Sequence, residues 1–194
     1  MFINFIIKYY VILNFFLVKK ENISHGKNLR IRGSINLDID SSGSLKIGDS
    51  FSLTSGLMLN PLGRNLKSSM RIDSNAKIVI GNNVGMSCVC LWAKKSIQIG
   101  NNVKLGSGVI IIDSDMHSLN FVERRDAKTD SINAKSKEIS IKDDAFIGVN
   151  SIITKGITIG ERSIVAAGSV VTKSIPSDEI WGGNPAVFIK KIDY

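Results

Sequence analysis

Residues 141–176 read IKDDAF IGVNSI ITKGIT IGERSI VAAGSV VTKSIP when the chain is divided every six residues. The first position of each hexad is aliphatic, and the fifth is small or aliphatic. A second run with the same phase covers residues 93–116, as AKKSIQ IGNNVK LGSGVI IIDSDM. A repeat of six residues is therefore the organising feature of this chain.

A six-residue period fits neither an amphipathic helix, which repeats every 3.6 residues, nor an alternating strand that ends in a hairpin. It fits short strands joined by tight turns, in which a small residue beside each inward aliphatic residue lets the chain turn. Three such sides close a triangular coil, and stacked coils pair as parallel strands about 4.8 Å apart. The pattern predicts a β-solenoid with a continuous aliphatic core.

The repeat is less regular toward the N-terminus. IGNNVG at residues 80–85 and MSCVCL at residues 86–91 are one residue out of phase with the second run, which predicts a single insertion near Trp92. The six-residue spacing continues more loosely upstream and is interrupted at Ser41 and around residues 60–69; its aliphatic positions are Leu29, Ile35, Ile47, Leu53 and Leu59.

The hexads I-G-x-x-x-x, the run IGERSIVAAGSVVTKSIP and the closing WGGNPAVFIKK resemble the hexapeptide-repeat acetyltransferases, in particular those that O-acetylate sugars and polysaccharides. The resemblance covers residues 80–191 well and residues 29–79 loosely. It implies an all-β fold, the left-handed parallel β-helix, with acetyl-CoA as co-substrate and a homotrimeric assembly. We expect residues 1–28 to form an amphipathic helix and a linker, and residues 29–194 to form the β-helix acyltransferase domain.

One long polar excursion interrupts the best part of the repeat, at residues 113–138. Excursions of this length in compact domains are usually functional or disordered. Histidine is the side chain best suited to take a proton near neutral pH, and the resemblance makes His117 the general base. Asp113 and Asp115 are near enough in sequence to orient its ring, and we include both in the predicted catalytic set.

The resemblance also implies a mechanism and a cofactor site. An acceptor hydroxyl, deprotonated by His117, attacks the thioester of acetyl-CoA, and a backbone N–H in the region of Gly148 and Val149 stabilises the oxyanion. Trp181 is expected to cover the open end of the core rather than to stack on adenine. The residues predicted to bind acetyl-CoA are Gly148, Ala167, Gly168, Thr172, Lys173 and Lys190.

The acceptor is predicted to be a saccharide hydroxyl in a capsule, exopolysaccharide or lipopolysaccharide unit. Arg124 and Arg125, inside the excursion, are candidates to bind an acidic sugar or a phosphate. N-acetylation of an amino sugar and O-acetylation of an antibiotic remain alternatives. A serine acceptor is disfavoured, because the resembling serine enzymes carry a substantial helical region before the repeat, and here about 28 residues precede it.

Composition narrows the other functional classes. The 194 residues carry a net charge of +8, which favours an anionic partner. They contain no recognised nucleic-acid-binding motif, so nucleic acid is not a predicted partner. Cys88 and Cys90 are expected to be reduced thiols in the core or its wall. Zinc carbonic anhydrases share the implied fold and need three histidines, whereas this chain has two, so no metal is predicted. The non-enzymatic alternative is a solenoid used as a scaffold or binding module.

Residues 1–18, MFINFIIKYYVILNFFLV, are mostly apolar, but Asn4, Lys8 and Asn14 fall within about half a turn of one another, with Tyr10. This spacing predicts an amphipathic helix rather than a membrane span or a signal peptide. The helix has two alternative partners: the inner face of a membrane, contacted through residues 1–20, or the protein itself, on its own or a neighbouring subunit. We expect a cytoplasmic protein in either case.

Overall fold

The computed structural model describes residues 2–21, 23–56 and 59–194. Within these ranges twenty short strands form three sheets, A, B and C, and the chain passes from A to B to C once in every coil. Apart from the C-terminal hairpin, neighbouring strands in each sheet are parallel. The parallel β-solenoid predicted from the six-residue period is confirmed.

Sheets A and C each contain six strands. The strands of sheet A are β1 (Ser24–His25), β4 (Ser44–Ile47), β7 (Lys77–Ile80), β10 (Ser96–Ile99), β13 (Ile139–Ile141) and β16 (Thr158–Ile159). The strands of sheet C are β3 (Ile35–Ile39), β6 (Ser68–Ile72), β9 (Cys90–Ala93), β12 (Ile110–Ile112), β15 (Ile152–Ile153) and β18 (Val170–Val171).

Sheet B contains eight strands, because it is extended at its C-terminal end by an antiparallel hairpin. Its strands are β2 (Arg30–Arg32), β5 (Ser52–Thr54), β8 (Gly85–Ser87), β11 (Lys104–Leu105), β14 (Phe146–Ile147), β17 (Ile164–Val165), β19 (Glu179–Gly183) and β20 (Ala186–Lys191). The corners of each coil are named below by the sheets that they join: A–B, B–C and C–A.

The core consists of ladders of aliphatic side chains, one residue from each coil. In sheet C the register aligns Leu37, Met70, Leu91, Ile111, Ile153 and Val171. In sheet A it aligns Ile47, Ile80, Ile99, Ile141 and Ile159. From the second coil onward these residues are at most 6% exposed. Burying an aliphatic side chain of this size contributes about 1.5–3 kcal/mol, so the ladders are the main stabilising feature.

The irregularity near Trp92 consists of one corner that is shorter than in the neighbouring coil and a following corner that is longer. Met86 and Leu91 occupy the ladder positions of Leu105 and Ile111, so the B–C corner of the third coil is one residue shorter than the next. The following step is longer, and β9 continues to Ala93 before a turn at residues 94–95. The net insertion of one residue is confirmed, and it creates a wide C–A corner under the polar excursion.

The solenoid begins earlier than the predicted boundary between residues 1–28 and 29–194. Strand β1, at Ser24–His25, pairs in parallel with β4 and so belongs to the first coil. The two residues are exposed and lack the inward aliphatic side chain that defines a hexad. The segment assigned as a linker contributes this strand and also one core side chain, Ile23, which is 8% exposed.

Helix α1 (Phe2–Lys20) covers the N-terminal end of the solenoid and contacts β2. Asn14, assigned to the polar side, is 5% exposed and donates from Nδ2 to the backbone oxygens of Ile31, at 3.2 Å, and Gly33, at 2.8 Å. The polar side of the predicted amphipathic helix therefore contacts the protein at Asn14. Among the described residues, no helix combines the length and hydropathy needed to cross a membrane.

Truncating a ladder residue should destabilise the protein far more than truncating an exposed isoleucine. Ile111 is fully buried, whereas Ile132 is 70% exposed. We expect Ile111→Ala to lower the free energy of unfolding by about 2–5 kcal/mol, through lost burial and a residual cavity. Ile132→Ala should change it by less than about 0.5 kcal/mol. Denaturant unfolding of both variants checks this, and equal effects would contradict the ladder as the source of stability.

Candidate active site

The predicted excursion leaves the solenoid at the C–A corner after β12 and returns at β13. It contains a 3-10 turn at Glu123–Arg125 and helix α2 (Ala127–Asn133). An antiparallel bridge between Ser114 and Ser136 closes its base. The excursion is thus an ordered lobe attached to the side of the fourth and fifth coils.

His117 lies in this lobe and forms a short contact with Asp130. Its Nδ1 is 2.6 Å from Oδ2 of Asp130, on helix α2. The other carboxylate oxygen accepts the backbone N–H of Ser118 at 2.7 Å. Because an ionised carboxylate only accepts hydrogen bonds, this contact assigns the proton of the neutral ring to Nδ1. Nε2 is then the atom available to take a proton from a substrate.

The two side chains differ strongly in exposure: 69% for His117 and 14% for Asp130. The hydrogen bond from His117, and after it that from the Ser118 amide, lowers the pKa of Asp130 below the ordinary value for aspartate. Asp130 therefore stays ionised at neutral pH and fixes one end of the imidazole. The geometry is that of an oriented, accessible base.

Asp113 does not orient the imidazole, so the prediction that it belongs to the catalytic set is wrong. Its side chain is fully buried, and its oxygens accept the backbone N–H groups of Lys94, at 2.7 Å, Lys95, at 2.8 Å, and Ser96, at 2.7 Å. These donors belong to the wide C–A corner created by the inserted residue. Asp113 satisfies a turn that would otherwise leave buried amides unpaired.

Asp115 binds Lys155 instead of His117, so the prediction that it orients the imidazole is also wrong. Its Oδ1 lies 2.5 Å from Nζ of Lys155, and both side chains are mostly buried, at 19% and 24% exposure. Lys155 follows strand β15 in the next coil. The ion pair therefore ties the base of the excursion to the solenoid.

Sequence reasoning missed Asp130 because it is thirteen residues from His117. A helix signal is nevertheless present: Asp126 accepts the backbone N–H of Thr129 at 2.9 Å and caps helix α2. Reading this cap would have predicted a helix within the excursion and placed Asp130 in its first turn. The return of that turn to His117 is visible only in the structure.

The two arginines of the excursion lie close to the histidine segment. Arg124 donates from Nη1 to the backbone oxygen of Ser118 at 2.6 Å, and the guanidinium of Arg125 lies 5.3 Å from the centre of the Phe121 ring. Each therefore has a contact within the lobe. Their binding of an acidic acceptor stays a prediction.

Gly148, Ala167 and Gly168 form a tightly stacked row at the B–C corner. A Cβ at Gly148 would lie 2.5 Å from the Ala167 nitrogen, so only glycine allows the two coils to approach this closely. Gly168 has a φ of +71° and donates to the Val149 oxygen at 2.8 Å. Ala167 and Gly168 are exposed, which leaves their backbone accessible to a thin ligand.

Two other predicted cofactor residues line a cleft of about 200 Å³ at the C-terminal end. Thr172 and Lys173 share it with Trp181, Phe188 and neighbouring residues of the β19–β20 hairpin. Lys190 lies exposed on β20. Trp181 pairs with Val165 in register and packs against the core, as expected for a residue that covers its end.

The predicted site residues therefore occupy two different corners of one chain. The lobe with His117, together with Thr172 and Lys173, lies at the C–A corner, whereas Gly148, Ala167 and Gly168 lie at the B–C corner. Sheet C separates the two groups. Its outer face carries a column of half-buried to exposed residues in register: Cys90, Ile110, Ile152 and Val170.

Comparison with known proteins identifies the family. The family model described as "Hexapeptide repeat of succinyl-transferase" matches residues 77–112 and 138–173, on both sides of the excursion. Protein CapG of Staphylococcus aureus is 40% identical over 137 residues, which are 66% of this chain and 77% of that protein. The chain belongs to the hexapeptide-repeat acetyltransferase family.

Other relatives of this acetyltransferase-family chain are more distant or longer. A putative acetyltransferase of Schizosaccharomyces pombe is 40% identical over 97 residues, which are 50% of this chain and 44% of that protein. Gamma carbonic anhydrase 2, mitochondrial, of Arabidopsis thaliana is 33% identical over 129 residues, which are 64% of this chain and 46% of that protein.

Solved structures agree on the fold. The N-acyltransferase AntD of Bacillus cereus, in complex with dTDP-4-amino-4,6-dideoxyglucose and coenzyme A, superimposes with a TM-score of 0.73 at 20% identity, covering 92% of this chain and 89% of that one. A maltose O-acetyltransferase of Clostridium difficile superimposes with a TM-score of 0.53 at 25% identity, covering 88% of this chain and 68% of that one. The solenoid of this family member is the left-handed β-helix that the resemblance implied.

Removing the imidazole should raise the pKa of Asp130 toward the ordinary aspartate value, because the hydrogen bond from His117 is the main cause of its depression. We expect carboxyl ¹³C NMR titration of His117→Ala to show this increase. Asp178, whose pKa Arg162 and Tyr194 lower to about 2, is the internal control and should not move. In wild type, stabilisation by the pair is present above the ordinary aspartate pKa and is lost as pH falls through the lowered one. An unchanged Asp130 titration would contradict the contact.

Proposed function

We propose that this protein is an acetyl-CoA-dependent O-acetyltransferase that acts on a saccharide hydroxyl, with His117 as general base. The observation that carries the proposal is the His117–Asp130 pair, an accessible imidazole held by an ionised carboxylate in a member of an acetyltransferase family. Asp130 replaces Asp113 and Asp115 as the positioning residue.

The chemistry follows from the assigned ring proton. Nε2 of His117 takes the proton of the acceptor hydroxyl as its oxygen attacks the thioester carbonyl of acetyl-CoA. The tetrahedral intermediate then collapses, the C–S bond breaks, and the thiolate leaving group receives the proton from the imidazolium. The products are the acetyl ester and CoA, without a covalent enzyme intermediate.

A backbone N–H is needed to stabilise the oxyanion of the tetrahedral intermediate. The Gly148 amide is excluded, because it already donates to the Val165 oxygen at 2.8 Å. We assign this role to the amide of Val149, the next residue at the same corner. The peptides on either side of this amide are held by the next coil, because the Gly148 N–H donates to Val165 and the Val149 carbonyl accepts from Gly168.

The oriented base favours a hydroxyl acceptor over an amine. A hydroxyl is a weak nucleophile and must lose its proton as it attacks, whereas a neutral amine attacks through its lone pair and can lose a proton afterwards. A base held within hydrogen-bond reach therefore contributes most to hydroxyl transfer. An amino sugar is the second candidate acceptor, because AntD was solved with one.

We also propose a trimer in which each active site is shared. If sheet C of every subunit faces the threefold axis, the B–C corner of one subunit adjoins the C–A corner of the next. The apolar column of Cys90, Ile110, Ile152 and Val170 would then be buried at the interface. Sheet B is also partly apolar outside, at Phe146 and Ile164, but packing through sheet C is what joins the two corners that carry the predicted residues.

In this assembly acetyl-CoA lies between two subunits. Ala167 and Gly168 offer backbone contacts to the pantetheine arm, with Gly148 allowing the close stacking beneath them. Lys173 and Lys190 are cations near the C-terminal end that can contact the nucleotide phosphates, with Thr172 beside them. We assign Arg124 and Arg125, in the lobe, to the binding of an acidic acceptor.

Release of CoA from acetyl-CoA, measured with a panel of sugars and amino sugars, tests the reaction. We expect acceptor-dependent release with a hydroxyl acceptor, and a decrease of about two orders of magnitude or more in His117→Ala. His25→Ala is the matched control, since His25 is the other histidine and lies in the first coil. Asp130→Asn should lower kcat while leaving the KM for acetyl-CoA unchanged.

The outcomes separate the alternatives. Release with amino sugars alone would replace O-transfer with N-transfer. Equal rates of CoA release in wild type and His117→Ala would contradict the role of His117 as general base. If calorimetry shows no binding of acetyl-CoA at all, the enzymatic proposal fails and a scaffold or binding module takes its place.

Mixing two inactive variants tests the shared site. His117→Ala removes the base, and Ala167→Trp blocks the proposed cofactor row at the other corner. When the two are unfolded together and refolded at equal amounts, about a quarter of the sites in random trimers combine an intact His117 with an intact Ala167. We expect about that fraction of wild-type activity to return. No recovery, or a monomer by light scattering, would contradict the shared site.

A further inference from the structure

Helix α1 presents its apolar residues to the outside. Its inner side carries Asn14 and Val18, which are 5% and 3% exposed, and the amide of Asn14 is anchored on the first coil. The opposite side is a stripe at helical spacing whose members are exposed by 54–71%: Phe5, Tyr9, Ile12 and Phe16. The helix therefore has a polar contact toward the protein and an apolar surface toward the surroundings, the reverse of an ordinary surface helix.

Positive charge is concentrated at the same end of the molecule. Residues 1–32 contain six lysines and arginines and one glutamate, so they carry five of the eight net positive charges of the chain. Lys8 and Lys19 are exposed and project within about 60° of Ile12 around the helix axis. Arg30 and Arg32 are exposed on the first coil, which the helix covers. The apolar stripe is thus bordered by cations.

We propose that helix α1 docks this protein on an anionic lipid surface, with the stripe of Phe5, Tyr9, Ile12 and Phe16 inserted at the level of the headgroups. Exposed aromatic and aliphatic side chains bordered by lysines are the features that bind such a surface. The helix contacts the solenoid on the opposite side, at Asn14 and Val18, so the stripe is exposed to a bilayer. It does not cross the bilayer.

Charge also decides between a membrane and a second copy of this chain. Pairing two copies through this end would bring two segments with five net positive charges each into contact, which is unfavourable without a counter-charge. An anionic lipid surface supplies that counter-charge. In the proposed trimer the three parallel solenoids place their helices at one end, so all three stripes face the same bilayer.

Sedimentation with vesicles tests the docking on the full chain. We expect wild type to bind vesicles of phosphatidylcholine with about 30% phosphatidylglycerol, and to bind pure phosphatidylcholine at least about tenfold more weakly. Ile12→Glu places a charge in the centre of the stripe and should lower binding to the anionic vesicles by about tenfold or more. Lys8→Gln with Lys19→Gln should reduce mainly the preference for anionic lipid.

The matched control is Ile132→Glu, which introduces the same charge at an isoleucine that is 70% exposed on the excursion. It should bind vesicles as wild type does. Circular dichroism of each variant checks that the fold is retained, which exposed positions should permit. Binding is measured without acetyl-CoA or acceptor, so its result is independent of the proposed reaction.

Three results would overturn the proposal. Wild type could remain in the supernatant with anionic vesicles, or Ile12→Glu could bind them as well as wild type does. The third is an equal loss of vesicle binding in Ile12→Glu and Ile132→Glu. If wild type fails to bind and Ile12→Glu lowers the mass measured by light scattering, a second copy of the chain covers the stripe instead.

Discussion

Every coil of this protein depends on the stacking of one inward aliphatic residue directly on its counterpart in the neighbouring coils. A single hexad buries almost nothing, and its two- to five-residue strands would not be stable alone. Stacked at the strand spacing, the same residues form continuous ladders in which side chains such as Ile111 and Ile141 are almost completely excluded from water. Stability is therefore a property of the column and not of any one turn.

This constraint determines where chemistry can occur. The interior is filled by the ladders, so functional groups must lie at the corners or on chain that leaves the column. The lobe at residues 113–138 leaves at the C–A corner that stacks on the widened one, and Asp113 satisfies the amides exposed by that widening. Lys155 then holds the base of the lobe through Asp115. Two aspartates thus serve to support the lobe, while a third, Asp130, holds the histidine.

The ends of the column require a different solution, since a solenoid exposes its core wherever stacking stops. At the C-terminal end Trp181 and the β19–β20 hairpin cover the last coil. At the N-terminal end helix α1 does so with few buried side chains, and much of its apolar surface remains outside. The same cover that closes the core therefore supplies the surface for which we propose a lipid partner.

The six-residue period by itself determined the parallel solenoid and the inward positions of the ladders, because each is a local repetition that stacking only multiplies. It also located the excursion, as the one long break in the regular part of the repeat, and the family motifs pointed to His117 within it. The partner of His117, by contrast, was decided by tertiary structure. Asp113 and Asp115 are nearer in sequence, but the corner amides and Lys155 bind them, and helix α2 returns Asp130 from thirteen residues away. Tertiary structure also decided that the apolar stripe of α1 faces outward. Periodicity shows which residues share a side of a helix, but not which side contacts the protein. Local pattern thus specifies the elements, while competition among distant groups for the same contacts specifies the site.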